Sequence, residues 1–101
     1  MNNFFEKQSA IAAIVTTYEP KIETLEDQFR RLQGQVELLL VVDNGSSNSS
    51  EVAEIVSQYP FAQFIGVPEN QGLGWAHNEG IRRVLAMGAG AVLLLDQDSL
   101  P

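Results

Sequence analysis

Val36–Glu37–Leu38–Leu39–Leu40–Val41–Val42–Asp43–Asn44–Gly45–Ser46–Ser47–Asn48 is the stretch on which the fold turns. Every residue from 36 to 42 except Glu37 is apolar, and the chain then becomes polar at Asp43 without transition. A strand with one solvated face alternates apolar and polar residues. A strand apolar at successive positions is buried on both faces, the situation of a parallel sheet covered by helices on each side. The spacing therefore predicts a buried strand over 36–42 and a turn over 43–48.

Working outward, the same alternation recurs. Ile11 to Thr17 is a short apolar, β-branched run stopped by Tyr18–Glu19–Pro20. Thr24 to Leu32 carries Leu25, Phe29 and Leu32 at helical spacing, and Gly34 is a suitable stop. After the central turn, Ser49 or Ser50 can cap a helix bearing Val52, Ile55 and Val56. A third strand is expected over Phe61 to Val67, then a loop over 68–73 and a helix over 74–87. Gly88 or Gly90 breaks that helix, Ala91 to Leu95 forms a fourth strand, and Asp96–Gln97–Asp98–Ser99 follows at once. In the last helix, Ile81, Val84 and Leu85 are expected in the core and Trp75 as a packing anchor.

Four apolar strands separated by three helices predict an α/β fold, a three-layer α/β/α sandwich with a mostly parallel, Rossmann-like sheet and right-handed crossovers. A sheet stopping after its fourth strand leaves an edge without partner, so residues 1–101 are expected to be the N-terminal part of a longer protein.

Composition narrows the chemistry. The 101 residues hold 13 acids against 6 Lys and Arg, net −7. Nucleic-acid binding needs clustered cations, so no nucleic acid is expected as partner. There is no cysteine, which excludes disulfides, thiolate catalysis, structural zinc and iron–sulfur clusters. The single histidine, His77, cannot build a His-rich metal centre and reads as a structural residue. No apolar run reaches the ~18–20 residues of a membrane span, and residues 1–9 do not read as a signal peptide. Cytoplasmic residence is expected.

In an open parallel sheet, ligands sit beyond the carboxyl ends of the strands. Those ends carry Thr16, Thr17, Tyr18 and Glu19; Asp43, Asn44 and Gly45; Pro68, Glu69 and Asn70; and Asp96, Gln97 and Asp98. Asp96 and Asp98 are two positions apart, so in extended chain both carboxylates face one side. At ~4 Å and an effective dielectric of ~20 they repel by about 4 kcal/mol, which a divalent cation would relieve. Hard oxygen ligands suit Mg²⁺ or Mn²⁺. A solvated acidic turn is the plain alternative. Asp43 could accept from an imide N–H or a ribose hydroxyl, or it could close an Asx turn on the Gly45–Ser46 amides. Tyr18 could stack on a base or be a half-buried rim residue. Asn70-x-Gly72-x-Gly74 leads into a helix whose N-terminus favours a phosphate. It is not a dinucleotide fingerprint. His77 stands where that motif needs Gly or Ala, and the loop follows the third strand rather than the first.

Taken together, Ala13–Ile14–Val15–Thr16–Thr17–Tyr18–Glu19–Pro20, Val41–Val42–Asp43–Asn44–Gly45–Ser46, Asn70-x-Gly72-x-Gly74 with Asn78 and Gly80, and Asp96–Gln97–Asp98–Ser99 resemble the family 2 glycosyltransferases, from about Ile11 to Ser99. The Thr-Thr-Tyr-Glu-Pro and Asp-Gln-Asp-Ser forms are most similar to bacterial rhamnosyltransferases of surface-polysaccharide assembly. The resemblance implies the nucleotide-binding half of a glycosyltransferase A fold, a nucleotide-diphospho-sugar donor such as dTDP-rhamnose, and a divalent metal, Mg²⁺ or Mn²⁺. By position it implies that Thr16 and Tyr18 line the base and ribose pocket, that Asp43 accepts from the pyrimidine imide, and that Gly72, Gly74 and Asn78 lie near the donor. It places Asp96 against the ribose or metal, and Asp98 on the metal that bridges the diphosphate. The saccharide acceptor, lipid-linked in one version, and a carboxylate base would be served by residues beyond 101. The 101-residue chain alone is then expected to be inactive, and the full-length protein to sit at the inner membrane face. Rival readings are a phosphoryl-receiver domain, a non-catalytic nucleotide-binding or interaction module, and a nucleotidyltransferase. A receiver needs an acidic pair after its first strand, where this chain has Thr16–Thr17–Tyr18. A nucleotidyltransferase usually has a Gly-rich, Lys- or Arg-bearing loop there.

Overall fold

The computed structural model describes residues 10–97. Asp98 and Ser99 lie outside the described residues. The elements run β1 (Ile11–Thr17), α1 (Ile22–Leu32), β2 (Leu38–Asn44), α2 (Ser49–Ser57), β3 (Ala62–Val67), α3 (Leu73–Ala86) and β4 (Ala91–Asp96). All seven expected elements are present, in the expected order. The four strands form one sheet in the order β3-β2-β1-β4, and every neighbouring pair is parallel.

Each strand residue is assigned a face by the pleat. Ala13, Val15, Leu39 and Val41 look to one side, where Leu25, Phe29 and Leu32 of α1 and Val52, Ile55 and Val56 of α2 meet them. Ala12, Ile14, Leu38, Leu40 and Val42 look to the other, against Ala76 and Val84 of α3. The sandwich thus has two cores separated by β1 and β2, which are apolar on both faces for that reason. Gly80 brings α3 down onto β1: a Cβ there would sit 2.8 Å from Ile14 Cγ2. On α1 the buried side chains Leu25, Gln28, Phe29 and Leu32 share one face. On its outer face Arg30 and Arg31 lie within ion-pair reach of Asp27.

Several local expectations shift. The central strand begins at Leu38 rather than Val36 and runs on through Asp43 and Asn44. Propensity alone put Asp43 and Asn44 in a turn. Pairing on both sides keeps them in the sheet, since Asp43 lies beside Thr17 on β1 and beside Gly66 on β3. The N-cap of α2 is Asn48, and its side chain makes no cap hydrogen bond. Leu85 is 56% exposed and Trp75 39% exposed. Neither is the core residue or packing anchor expected, because α3 lies over β1 and β2 and turns those positions outward. The β4 edge leaves Leu93 and Leu94 exposed, one on each face of the sheet.

Candidate functional site at the carboxyl end of the sheet

The crossover α1 and the crossover α2 lie on one face of the sheet and α3 on the other. The chain therefore changes face between β1 and β4, and a crevice opens at the ends of these two strands. A cavity of about 500 Å³ lies there, lined by Thr16, Thr17, Tyr18, Asn44, Asn70, Leu73, Asp96 and Gln97. Thr16 and Asp96 are ladder neighbours and stand on the same face, the α3 side. Tyr18, 51% exposed, presents a largely open ring at its rim.

The loops around this cavity are sewn together pair by pair, in the order of the strands. Gln97, beyond β4, grips the backbone of Tyr18 beyond β1. Tyr18 N–H donates to Gln97 Oε1 (2.8 Å) and Gln97 Nε2 donates to Tyr18 O (3.1 Å). Glu19 joins the β1 end to the turn after β2. Its N–H donates to Ser46 Oγ (2.8 Å), and its carboxylate accepts from Ser47 N–H and Ser47 Oγ, both at 2.6 Å. Asn48 Nδ2 donates to Pro20 O (3.0 Å). Asn44, at the end of β2, ties down the loop after β3. Gln71 N–H donates to Asn44 Oδ1 (2.8 Å), and Asn44 Nδ2 donates to Gly72 O (3.1 Å) and Asn70 Oδ1 (3.3 Å).

Asp43 anchors this ring from behind. It is fully buried. Thr17 Oγ1 and Ser46 Oγ both donate to Asp43 Oδ1 at 2.6 Å, and Ser46 N–H donates to Oδ2 at 3.1 Å. The Asx turn on Ser46 is therefore formed. Two hydroxyls and an amide stand in for the water that a buried carboxylate loses.

The residues singled out in the sequence are distributed as follows. Thr16, Tyr18 and Asp96 line one cavity. Asp43 lies at the same carboxyl end of the sheet, beside Thr17, but its side chain stands on the α1–α2 face, whereas Asp96 stands on the α3 face. Gly72 is the N-cap of α3, and Gly74 and Asn78 lie in its first two turns, exposed but outside the cavity lining. The structure adds Thr17, Asn44, Asn70, Leu73 and Gln97 to the wall. The polar ones could be suspected from their place at strand ends. Leu73 carries no signal of its own.

Glu19 illustrates how these ties respond to pH. It takes a left-handed φ of 49°, and the hydrogen bonds from Ser47 hold its carboxyl below the ordinary 4.5. A carboxylate whose pKa is lower in the folded chain stabilises above its unfolded value and loses that contribution as pH falls through the folded value. Glu79, bonded to Arg82 and Arg83, shifts the same way and adds to any acid-induced loss. Glu19→Gln is therefore expected to melt below the parent at neutral pH. The gap closes as pH drops below 4.5, because only the parent titrates at this position. Melting curves of the pair from pH 7 to 3 check this; a gap constant across the range contradicts it.

Among the described residues, no three His, Cys, Asp or Glu side chains gather as a metal-binding group. No described helix is long and apolar enough to cross a membrane.

Comparison with known proteins agrees with this architecture. Residues 12–101 match the profile of Glycosyl transferase family 2. The "dTDP-rhamnosyl transferase RfbF" of Shigella flexneri is 31% identical over 91 residues, which are 90% of this chain and 30% of that protein. The chain thus spans about a third of the length of this relative. With four parallel strands, three helices and a crevice where the chain changes face, the chain belongs to glycosyl transferase family 2.

Proposed function

We propose that this chain is the donor-binding portion of a metal-dependent glycosyltransferase that uses dTDP-rhamnose and passes rhamnose to a saccharide acceptor in bacterial surface-polysaccharide synthesis. The observation that carries the reading is the cavity between the ends of β1 and β4, with Thr16, Tyr18 and Asp96 on its wall. The name of the Shigella relative supports the donor.

The donor set fits a divalent ion. The Asp96 carboxylate is exposed on the cavity wall, and no hydrogen bond or ion pair within the described residues engages it. Magnesium needs only one or two protein carboxylates when phosphates complete its shell. Asp96 and Asp98 are the residues that would hold it, and the ion would neutralise the charge that develops on the departing nucleoside diphosphate. Around it, Tyr18 offers a flat apolar surface to the base and Thr16 a hydroxyl to the nucleoside. Gly72 and Gly74 leave open space at the α3 N-terminus, since a Cβ built on either meets nothing within 4 Å. Asp43 has an unused lone pair on Oδ2, but it is fully buried and off the cavity lining, so the turn after β2 would have to open before it could accept from a pyrimidine imide. A chain of net −7 has little else with which to attract a diphosphate. Deprotonation of the acceptor hydroxyl and binding of the acceptor, lipid-linked or free, are assigned to residues beyond 101.

Calorimetry with thymidine and uridine diphosphates, with and without Mn²⁺, tests the reading. Binding is expected only with the metal, and Asp98→Ala or Asp96→Ala is expected to weaken it by about tenfold or more, 1.4 kcal/mol for each factor of ten. Binding that ignores both the metal and the Asp98 substitution overturns it in favour of a non-catalytic nucleotide module.

A further inference from the structure

We infer that Asn44 is a positioning residue of the nucleotide cavity: its carboxamide holds the 70–72 loop in place, so that Asn70 and Leu73 form the wall opposite Thr16 and Asp96. The inference rests on the donor-site reading above.

Three observations carry it. Asn44 is polar and 4% exposed, so its amide must find partners inside the chain. All three hydrogen bonds it makes through that amide go to one loop: to the N–H of Gln71, to the carbonyl of Gly72 and to Oδ1 of Asn70. Gly45 packs on the Glu69–Asn70 backbone, but among the described residues no other side chain from outside that loop bonds to it. Residues 68–73 are all exposed, and the loop's other side-chain bond, from Gly72 N–H to Asn70 Oδ1 (2.7 Å), is internal. Yet the loop supplies two members of the cavity wall and starts α3.

The chemistry selects asparagine. The tie needs an acceptor for Gln71 N–H and donors for Gly72 O and Asn70 Oδ1 at one spot. An ionised aspartate has no donor and would face two oxygens. An apolar side chain would leave all three loop groups without this partner. The metal and base contacts proposed above are separate from this role: Asn44 borders the cavity, but its amide is taken up by the loop it orients.

The test combines two readouts on the 101-residue chain. Amide exchange followed by NMR reports the tie directly. In Asn44→Ala, exchange at Gln71 is expected to quicken by about tenfold or more while the amides of β1 and β2 keep their rates. Calorimetry with thymidine diphosphate at saturating Mn²⁺ reports its consequence, with affinity expected to fall by about tenfold. Asn44→Asp, isosteric and still an acceptor for Gln71, serves if the alanine variant does not fold. It is expected to lose affinity to a similar degree with its β-strand amides unchanged. Faster loop exchange with unaltered affinity overturns the positioning role, as does unaltered exchange at Gln71. If the parent chain binds no nucleoside diphosphate at any Mn²⁺ concentration, the donor reading falls and this inference with it. Parent binding that the Asn44 variants retain in full sinks this inference alone.

Discussion

Replacing Gly45 with alanine is expected to lower the melting temperature by about 15 °C or more. Gly45 has φ +84°, where an L side chain is strained by roughly 1–2 kcal/mol. It also packs directly on the loop after β3. A Cβ built there lies 2.5 Å from Asn70 N, 2.7 Å from Glu69 C and 3.0 Å from Glu69 Cα. Those are backbone atoms, which cannot rotate aside as a side-chain tip can. Overpacking of this kind costs about 1–3 kcal/mol in addition. A total near 3 kcal/mol is a large part of a small domain's stability, and 1 kcal/mol corresponds to ~4–8 °C at this size. Gly34 supplies an internal control. Its φ is +87°, almost the same, but a Cβ there meets nothing within 4 Å. Gly34→Ala therefore measures the backbone strain alone, and the difference between the two variants measures the clash. Equal melting temperatures would show that the turn after β2 does not press on the Glu69–Asn70 backbone. The clash also pushes on Asn70, so nucleotide affinity is expected to suffer beyond the loss of stability.

Asp43→Asn is expected to cost about 2–3 kcal/mol although it changes no heavy-atom position. The buried carboxylate accepts from three donors, two on Oδ1 and one on Oδ2. An asparagine has a single acceptor oxygen. In either amide orientation its NH₂ group points at a group that was donating, at a site with no access to water. If the NH₂ takes the Oδ2 position it faces the Ser46 N–H, which cannot turn away. If it takes the Oδ1 position, two hydroxyls must reorient, and Ser46 Oγ already accepts from Glu19 N–H. The first orientation keeps the Thr17 tie between the ends of β1 and β2 but loses the Ser46 turn, and the second disrupts the tie itself. Thr17→Val and Ser46→Ala each remove one donor and are expected to cost about 1 kcal/mol. Because they share one acceptor, their effects are expected to be non-additive. Chemical denaturation of these three variants and of the Thr17→Val/Ser46→Ala double variant, read beside thymidine diphosphate affinity, separates the two duties proposed for Asp43. Loss of stability marks the anchor. A variant that keeps the parent's stability and loses only nucleotide binding would show that the base contact is the whole of its role.

The element order was legible because each element is written in local composition. Ile11–Thr17 matches β1 residue for residue, and the Leu25–Phe29–Leu32 stripe is the buried face of α1. Where boundaries moved, the cause was pairing. Asp43 and Asn44 have the composition of a turn, and only neighbouring strands on both sides keep them extended. Where core assignments failed, the cause was which positions of a helix the sheet covers. Val84 is buried and Leu85 is not, though both fit a helical stripe.

The sequence by itself determined that this is a parallel α/β chain with its acids and amides collected at the strand ends, because burial of a strand on both faces and the change of polarity at its end are properties of consecutive residues. The tertiary structure alone decided what those polar groups do. Strand order and register place Thr16 beside Asp96 and send Asp43 to the opposite face, and they bring Asn44 to residues 70–72 and Gln97 to Tyr18. Tyr18 and Gln97 are 79 positions apart in the chain, so no local pattern encodes that contact. It arises only when the fold lays β4 next to β1, and hydrogen bonds between a side chain and a backbone that distant in sequence form once packing has fixed where the two strands lie.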